Sequence, residues 1–102
     1  RGAHVVATGR TRERAAEACA AVAAGRSTPL GMDLEDWDSV VATAAAVIAM
    51  GRPLDVLICN AGIMNPPALR LVHGVEQQFA INHLGHFILC HRLLPALKAA
   101  AE

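Results

Sequence analysis

The run Leu54-Asp55-Val56-Leu57-Ile58-Cys59, closed by Asn60-Ala61-Gly62, decides the fold. A nearly continuous apolar run of this length, stopped by Asn and Gly, is the pattern of a strand buried on both faces of a parallel sheet. Parallel strands cannot be joined by a tight hairpin. They need a long crossover, usually a helix. Helices are therefore expected on both sides of this run, with further strands beyond them.

The flanking sequence meets that expectation. Upstream, Trp37 to Met50 reads as a helix opened by Glu35 or Asp36 and ended by Gly51 and Pro53. Val40, Val41, Ala44, Val47 and Ile48 form its apolar stripe. Before it, Ser27 to Gly31 is a short strand candidate, and Pro29 restricts it to a sheet edge. Arg12 to Ala24 is Ala-rich and helical, capped by Thr11 and stopped by Gly25, with Ala15, Ala18, Cys19 and Val22 on one face. The β-branched run His4 to Thr8, stopped by Gly9, supplies another strand. Downstream, Val75, Phe79, Asn82, His86, Leu89 and Leu93 recur at helical spacing from Val75 to about Ala101, with Pro95 expected to kink or divide that helix. Strands alternating with helices imply right-handed βαβ units and an α/β fold with a parallel sheet.

Composition narrows the function classes. The chain has 102 residues, enough for one domain at most, with 54% hydrophobic and 18% charged residues and no formal net charge. That balance is globular, and it offers no support for nucleic-acid or anionic-membrane partners. The uncharged, apolar run Val40 to Gly51 is far shorter than the roughly 18 apolar residues of a membrane span. Cys19, Cys59 and Cys90 are widely separated and odd in number, so neither a disulfide framework nor a zinc module is expected. Free thiols in a reducing, cytoplasmic setting are the expectation. The opening Arg1-Gly2-Ala3-His4 carries no initiator Met or leader and reads as entry into the middle of a fold.

In parallel α/β sheets, ligands bind beyond the C-terminal ends of the strands. Three such ends carry candidate residues. After the first, Gly9 leaves room, and Arg10 offers a planar cationic fork suited to a 2′-phosphate on an adenosine ribose. After the second, the Asp33 carboxylate can accept a hydrogen bond from an exocyclic amine, and a backbone N–H beside it can donate to a ring nitrogen. After the third, Asn60, Ala61 and Gly62 let a ligand approach the backbone, and Gly62 tolerates positive φ. Taken singly, each has an ordinary explanation: an exposed Arg, a helix-starting Asp, and a strand-to-loop turn.

Their order and spacing resemble the short-chain dehydrogenase/reductases, nearest to the retinol-dehydrogenase-like group. The resemblance runs through Gly2-Ala3-His4-Val5-Val6 to Gly9-Arg10, then Asp33-Leu34 and Leu57-Ile58-Cys59-Asn60-Ala61-Gly62. Its most specific part is Glu76-Gln77-Gln78-Phe79-Ala80-Ile81-Asn82-His83-Leu84-Gly85-His86-Phe87. It implies a partial Rossmann domain over residues 1–102, lacking the first strand and the C-terminal part. It also implies an oxidoreductase that moves hydride between NADP(H) and a small-molecule carbonyl/alcohol substrate. Arg10 matches the NADP-selecting arginine, Asp33 the adenine-contacting Asp, and Leu34 a backbone contact. Asn60, Ala61 and Gly62 match the cofactor-lining turn, where Cys59 replaces the more usual Asn. Asn82 matches the active-site Asn that distorts its helix and holds a water on the proton relay. The helix from Val75 is one of two that often build a dimer interface in the family, which permits a homo-oligomer of the parent enzyme.

His83, His86 and Cys90 share a helix face and are zinc-ligand types, but no fourth ligand is evident, so buried, hydrogen-bonded histidines are expected and no metal site. The family's glycine-rich phosphate loop is expected before Arg1. The catalytic Tyr-x-x-x-Lys is expected after Glu102, and the chain contains no Tyr. The isolated chain is thus expected to be inactive. A degenerate, non-catalytic Rossmann binding module is the alternative.

In the 3-2-1-4 strand order of this fold, the run at Val56 would pair with a strand that this chain does not supply, and unpaired edges invite association. The isolated chain should therefore self-associate or unfold easily in sedimentation and melting experiments. A monodisperse monomer with a sharp, concentration-independent melt would refute this.

Overall fold

The computed structural model describes residues 2–22 and 25–101. The chain divides into two compact units, Arg1–Asp33 and Leu34–Glu102.

The first unit is a β-α-β module. Strand β1 (Val5–Gly9) and strand β2 (Ser27–Gly31) pair in parallel, with Val5 opposite Ser27 and Gly9 opposite Gly31. Helix α1 (Arg12–Cys19) joins them and packs on both strands. Its first turn is capped by Thr11, whose hydroxyl accepts from the Arg14 N–H at 3.2 Å. Pro29 stands in β2 opposite Ala7; β2 has one partner among the described residues, so the absent N–H of the proline interrupts no ladder on its other side. The helix is shorter than its sequence pattern implies and ends at Cys19, not Ala24. Ala15 and Cys19 are buried but Ala18 is exposed. Alanines bury little area, so nothing holds the chain helical once the contact with the strands ends. Ala24 lies outside the described residues. Gly25 does adopt a left-handed φ of +80°, five residues beyond the helix cap at Ala20.

The second unit is mostly helical. Helix α2 (Trp37–Ala49) starts at Asp36, whose carboxylate accepts from the N–H groups of Asp38 and Ser39 at 3.2 and 3.4 Å. It ends at Gly51, where φ is +70°. Val40, Ala44 and Val47 are buried as the stripe requires, whereas Val41 is half-buried and Ile48 is exposed. Buried Thr43 satisfies its hydroxyl on the Ser39 carbonyl at 2.9 Å.

The run Leu54–Cys59 is not a strand. A strand exists only where a neighbour takes up its N–H and C=O groups. No such neighbour is present among the described residues, and Val56 and Ile58 stand 69% and 78% exposed. At the start of the run, the Leu54 N–H donates to the Ala96 carbonyl at 3.1 Å. The expected three-stranded pattern is therefore reduced to the β1–β2 pair.

A small antiparallel hairpin follows that the helical spacing obscured. Strand β3 (Leu71–Val72) and strand β4 (Val75–Glu76) flank His73-Gly74. Both turn residues have positive φ, 52° and 77°. That is the two-residue turn whose twist matches a hairpin. Val75 thus belongs to a strand, and the helix begins at Gln77. Three α-helical residues, α3 (Gln77–Phe79), lead into a π-helical segment, Ala80–Gly85, and then into α4 (His86–Ala101). Pro95 lies within α4 without dividing it. The helix tolerates the loss of one i→i−4 bond at the His91 carbonyl because Leu89, Leu93 and Ala96 are buried and α4 packs on α2.

The His73 turn docks on the start of α2. Its Nε2–H donates to the Glu35 carbonyl at 3.0 Å, and its ring stacks on Trp37 with centroids 4.1 Å apart. Arg70 reinforces the contact through a 2.6 Å ion pair with Glu35. The Trp37 indole N–H is buried there without an acceptor among the described residues.

Glu76 caps the helix, its carboxylate accepting from the Gln78 and Phe79 N–H groups at 2.8 and 3.1 Å. These bonds, led by the one from Gln78, hold its carboxyl below the ordinary glutamate range. A lowered folded-state pKa contributes stability that is complete above the unfolded value of about 4.3 and is lost as pH falls through the folded value. Protection of the Gln78 and Phe79 amides relative to their intrinsic exchange rates should therefore fall below about pH 4, and Glu76→Gln should remove that acid dependence.

Candidate functional site

In the first unit the parallel register brings two of the candidate positions to one edge. Gly9 ends β1 opposite Gly31, and the Met32 N–H donates to the Gly9 carbonyl at 2.8 Å. Arg10 and Asp33 therefore lie just beyond the same end of the two-stranded ladder, Arg10 directly after Gly9 and Asp33 two residues after Gly31. Arg10 is exposed and Asp33 half-buried.

Both strand-end glycines are required by close approach of α1. A Cβ on Gly9 would meet the Ala15 nitrogen at 2.8 Å, and one on Gly31 would meet the Arg12 nitrogen at 3.0 Å. The space beside Gly9 is occupied by the helix, so the glycine serves the packing of that corner. A guanidinium and a carboxylate at one strand-end edge suit a phosphate-bearing nucleotide: a cation for the phosphate and an acceptor for a ring amine.

In the second unit the candidate residues converge on Asn82. The Asn82 Nδ2–H donates to the Ile63 carbonyl at 2.7 Å, and Oδ1 accepts from the Ile63 N–H at 2.8 Å. One carboxamide thus satisfies both backbone groups of one residue. This fixes the chain directly after Asn60-Ala61-Gly62.

The clamp explains Gly62. Its φ is not in the left-handed region, contrary to the expectation from its turn position. A Cβ there would instead lie 3.0 Å from Asn82 Oδ1. The glycine is needed so that the carboxamide can approach. Gln78 secures the same loop further on, its Oε1 accepting from the Asn65 N–H at 3.1 Å, where Asn65 has a φ of 51°.

Asn82 lies inside the π-helical segment. Widening a helical turn shifts carbonyls away from their i+4 partners, and such bulges recur at functional sites. The side chain of His86 supplies a donor there, its Nδ1–H reaching the Asn82 carbonyl at 3.1 Å. This bond sets the neutral ring as the Nδ1–H tautomer and leaves Nε2 as an acceptor. The segment also passes close to buried Leu34: a Cβ on Gly85 would meet the Leu34 carbonyl oxygen at 3.0 Å.

His83, His86 and Cys90 have separate partners. His83 is exposed, not buried as its spacing implied, and its ring lies between Phe79 and Phe87 at centroid distances of 5.1 and 6.4 Å. His86 turns to the Asn82 carbonyl, and Cys90 Sγ lies 3.7 Å from Cys59 Sγ. Among the described residues no group of three or more His, Cys, Asp or Glu side chains is placed to hold a metal ion, and no helix is long and apolar enough to cross a membrane.

Sequence reading missed the Gln78–Asn65 link, the docking of His73 and the Cys59–Cys90 proximity. Only the hairpin had a local signal, a His-Gly pair between apolar residues. The other contacts join residues 13 to 38 positions apart.

The family model for short chain dehydrogenase matches residues 1–102. A chloroplastic short-chain dehydrogenase of Brassica napus, TIC 32 A, is 36% identical over 106 residues, covering all of this chain and 33% of its own length. Human retinol dehydrogenase 11 is 44% identical over 70 residues, covering 69% of this chain and 22% of its own. The chain thus spans a third or less of the curated relatives it matches. Among solved structures, a protein from Mycobacterium Paratuberculosis superposes with a TM-score of 0.77 at 43% identity, covering 94% of this chain and 34% of that one. A metagenomic short-chain oxidoreductase in complex with NADP gives 0.72 at 33% identity, covering 97% and 47%.

Replacing Asn82 with Asp keeps the acceptor but removes the donor, setting a carboxylate against the Ile63 carbonyl. A loss of about 1–2 kcal/mol is expected in denaturant titration. Asn82→Ala should in addition speed exchange of the Ile63 amide, because both bonds of the clamp are gone.

Proposed function

The chain belongs to the short-chain dehydrogenase family, and from that premise we propose that its parent protein transfers hydride between NADP(H) and a small carbonyl/alcohol substrate. The observation that carries the NADP reading is the placement of Arg10 and Asp33 at adjacent strand ends. Support comes also from the solved relative in complex with NADP.

In this reading, Arg10 pairs with the 2′-phosphate through its planar fork. Asp33 accepts from the adenine amine, and Leu34 contributes a backbone contact. The turn Asn60-Ala61-Gly62 lines the cofactor, with Gly9 shaping the corner from which Arg10 projects. NADP(H), when bound, supplies or takes up the hydride.

Asn82 is proposed as the active-site asparagine. Its carboxamide is committed to Ile63, so its part in holding a relay water falls to its backbone carbonyl, which the π segment and His86 position. The chain contains no Tyr to act as general acid/base, and by itself it is proposed to be inactive. A reducing, cytoplasmic setting is proposed from its free cysteines.

The test is cofactor preference in the full-length protein. Arg10→Asp should lower NADP affinity relative to NAD by about tenfold or more, the equivalent of 1.4 kcal/mol. An unchanged ratio would overturn the assignment.

A further inference from the structure

Two of the three cysteines stand together. Cys59 closes the extended Leu54–Cys59 run, Cys90 lies in α4, and their sulfurs are 3.7 Å apart. Both are free thiols. They are 31 positions apart in sequence, so their proximity arises from the fold and not from a local motif. Cys59 is exposed and Cys90 half-buried, which leaves the pair within reach of a small reagent. Cys19, by contrast, is buried in α1.

We propose that Cys59 and Cys90 form a reversible intramolecular disulfide, a redox modification site beside the Asn60-Ala61-Gly62 turn. The bond requires the sulfurs to close from 3.7 Å to about 2.05 Å. The geometry favours that movement on one side. Cys90 is held in a regular helix that packs on α2, so the movement falls to the Cys59 side chain.

The oxidant is a low-molecular-weight disulfide such as glutathione disulfide. One cysteine thiolate attacks a glutathione sulfur, forming a mixed disulfide and releasing one glutathione thiolate, which takes up the proton the cysteine lost. The second cysteine, deprotonated in turn, attacks the protein-side sulfur of the mixed disulfide. The Cys59–Cys90 bond forms and a second glutathione leaves as thiol. Two protein thiols are oxidised and one small disulfide is reduced to two thiols. Modest desolvation of Cys59, and then its hydrogen bond to Cys90, push its thiol up. Low thiolate content slows the first attack, so this pair responds to sustained oxidising conditions more than to brief ones.

The bond would act on the turn. Asn82 already clamps Ile63 on the far side of Asn60-Ala61-Gly62, and Cys90 is two helical turns beyond Asn82. Oxidation would tie the near side covalently to the same helix. The proposal does not depend on which cofactor the parent protein uses.

The experiment is differential alkylation of the reduced full-length protein after incubation with glutathione disulfide, read by intact mass and peptide mapping. The expected result is a monomeric chain carrying a Cys59–Cys90 linked peptide, with Cys19 still alkylated and the link reversed by dithiothreitol. In Cys90→Ser, Cys59 should instead accumulate as the mixed disulfide with glutathione. Wild-type protein that keeps both thiols, stops at the mixed disulfide, or links Cys59 or Cys90 between chains would overturn the proposal. The wild-type map decides this even if the Ser variant fails to fold.

Discussion

The second unit is organised around a single carboxamide. Asn82 presents a donor and an acceptor side by side, and the backbone of Ile63 presents the complementary pair. Asp lacks the donor, and Gln places the same amide one methylene further out. Three neighbouring choices follow from this constraint. A Cβ on Gly62 would crowd the amide oxygen at 3.0 Å. The helix carrying Asn82 is π-helical at that point. His86 then engages the Asn82 carbonyl. The chain directly after Asn60-Ala61-Gly62 is held by two bonds from one helical segment.

The same reasoning separates what was legible in the chain from what was not. Helix α2 was readable because its signals are local: an Asp cap, a periodic stripe and a terminal glycine. Strands β1 and β2 were readable as β-branched or proline-marked runs beside turn residues. The run Leu54–Cys59 misled because apolar composition reports burial preference, while a strand is a property of a pair. Val75 misled because it fits the helical period while lying in a two-residue strand. Gly62 does not use the positive φ it tolerates; its close neighbour is a side chain twenty positions later, and no local pattern encodes that.

The candidate site was legible in proportion to how far backbone register determines it. Arg10 and Asp33 lie within two residues of the last paired residues of adjacent parallel strands, so identifying both strands was enough to place them at one end of the ladder. Asn82 was recognised through a motif of neighbouring residues, but its partner was not. Which atoms it would satisfy depends on the path of a loop that has no regular structure. The proximity of Cys59 and Cys90 was invisible for the same reason: widely spaced thiols look unrelated until a helix and an extended segment are laid side by side.

The contact between His73 and Trp37 has an optical consequence. Trp37 is the only tryptophan in the chain, and it lies face to face with an imidazole at 4.1 Å. The near-ultraviolet emission of this chain therefore originates at one locus, where the hairpin meets the start of α2. An imidazolium stacked on the indole withdraws excited-state electron density and dims it, whereas a hairpin that has swung away leaves the indole wetter and its emission redder. The chain carries a built-in fluorophore whose brightness and colour report on a single docking contact.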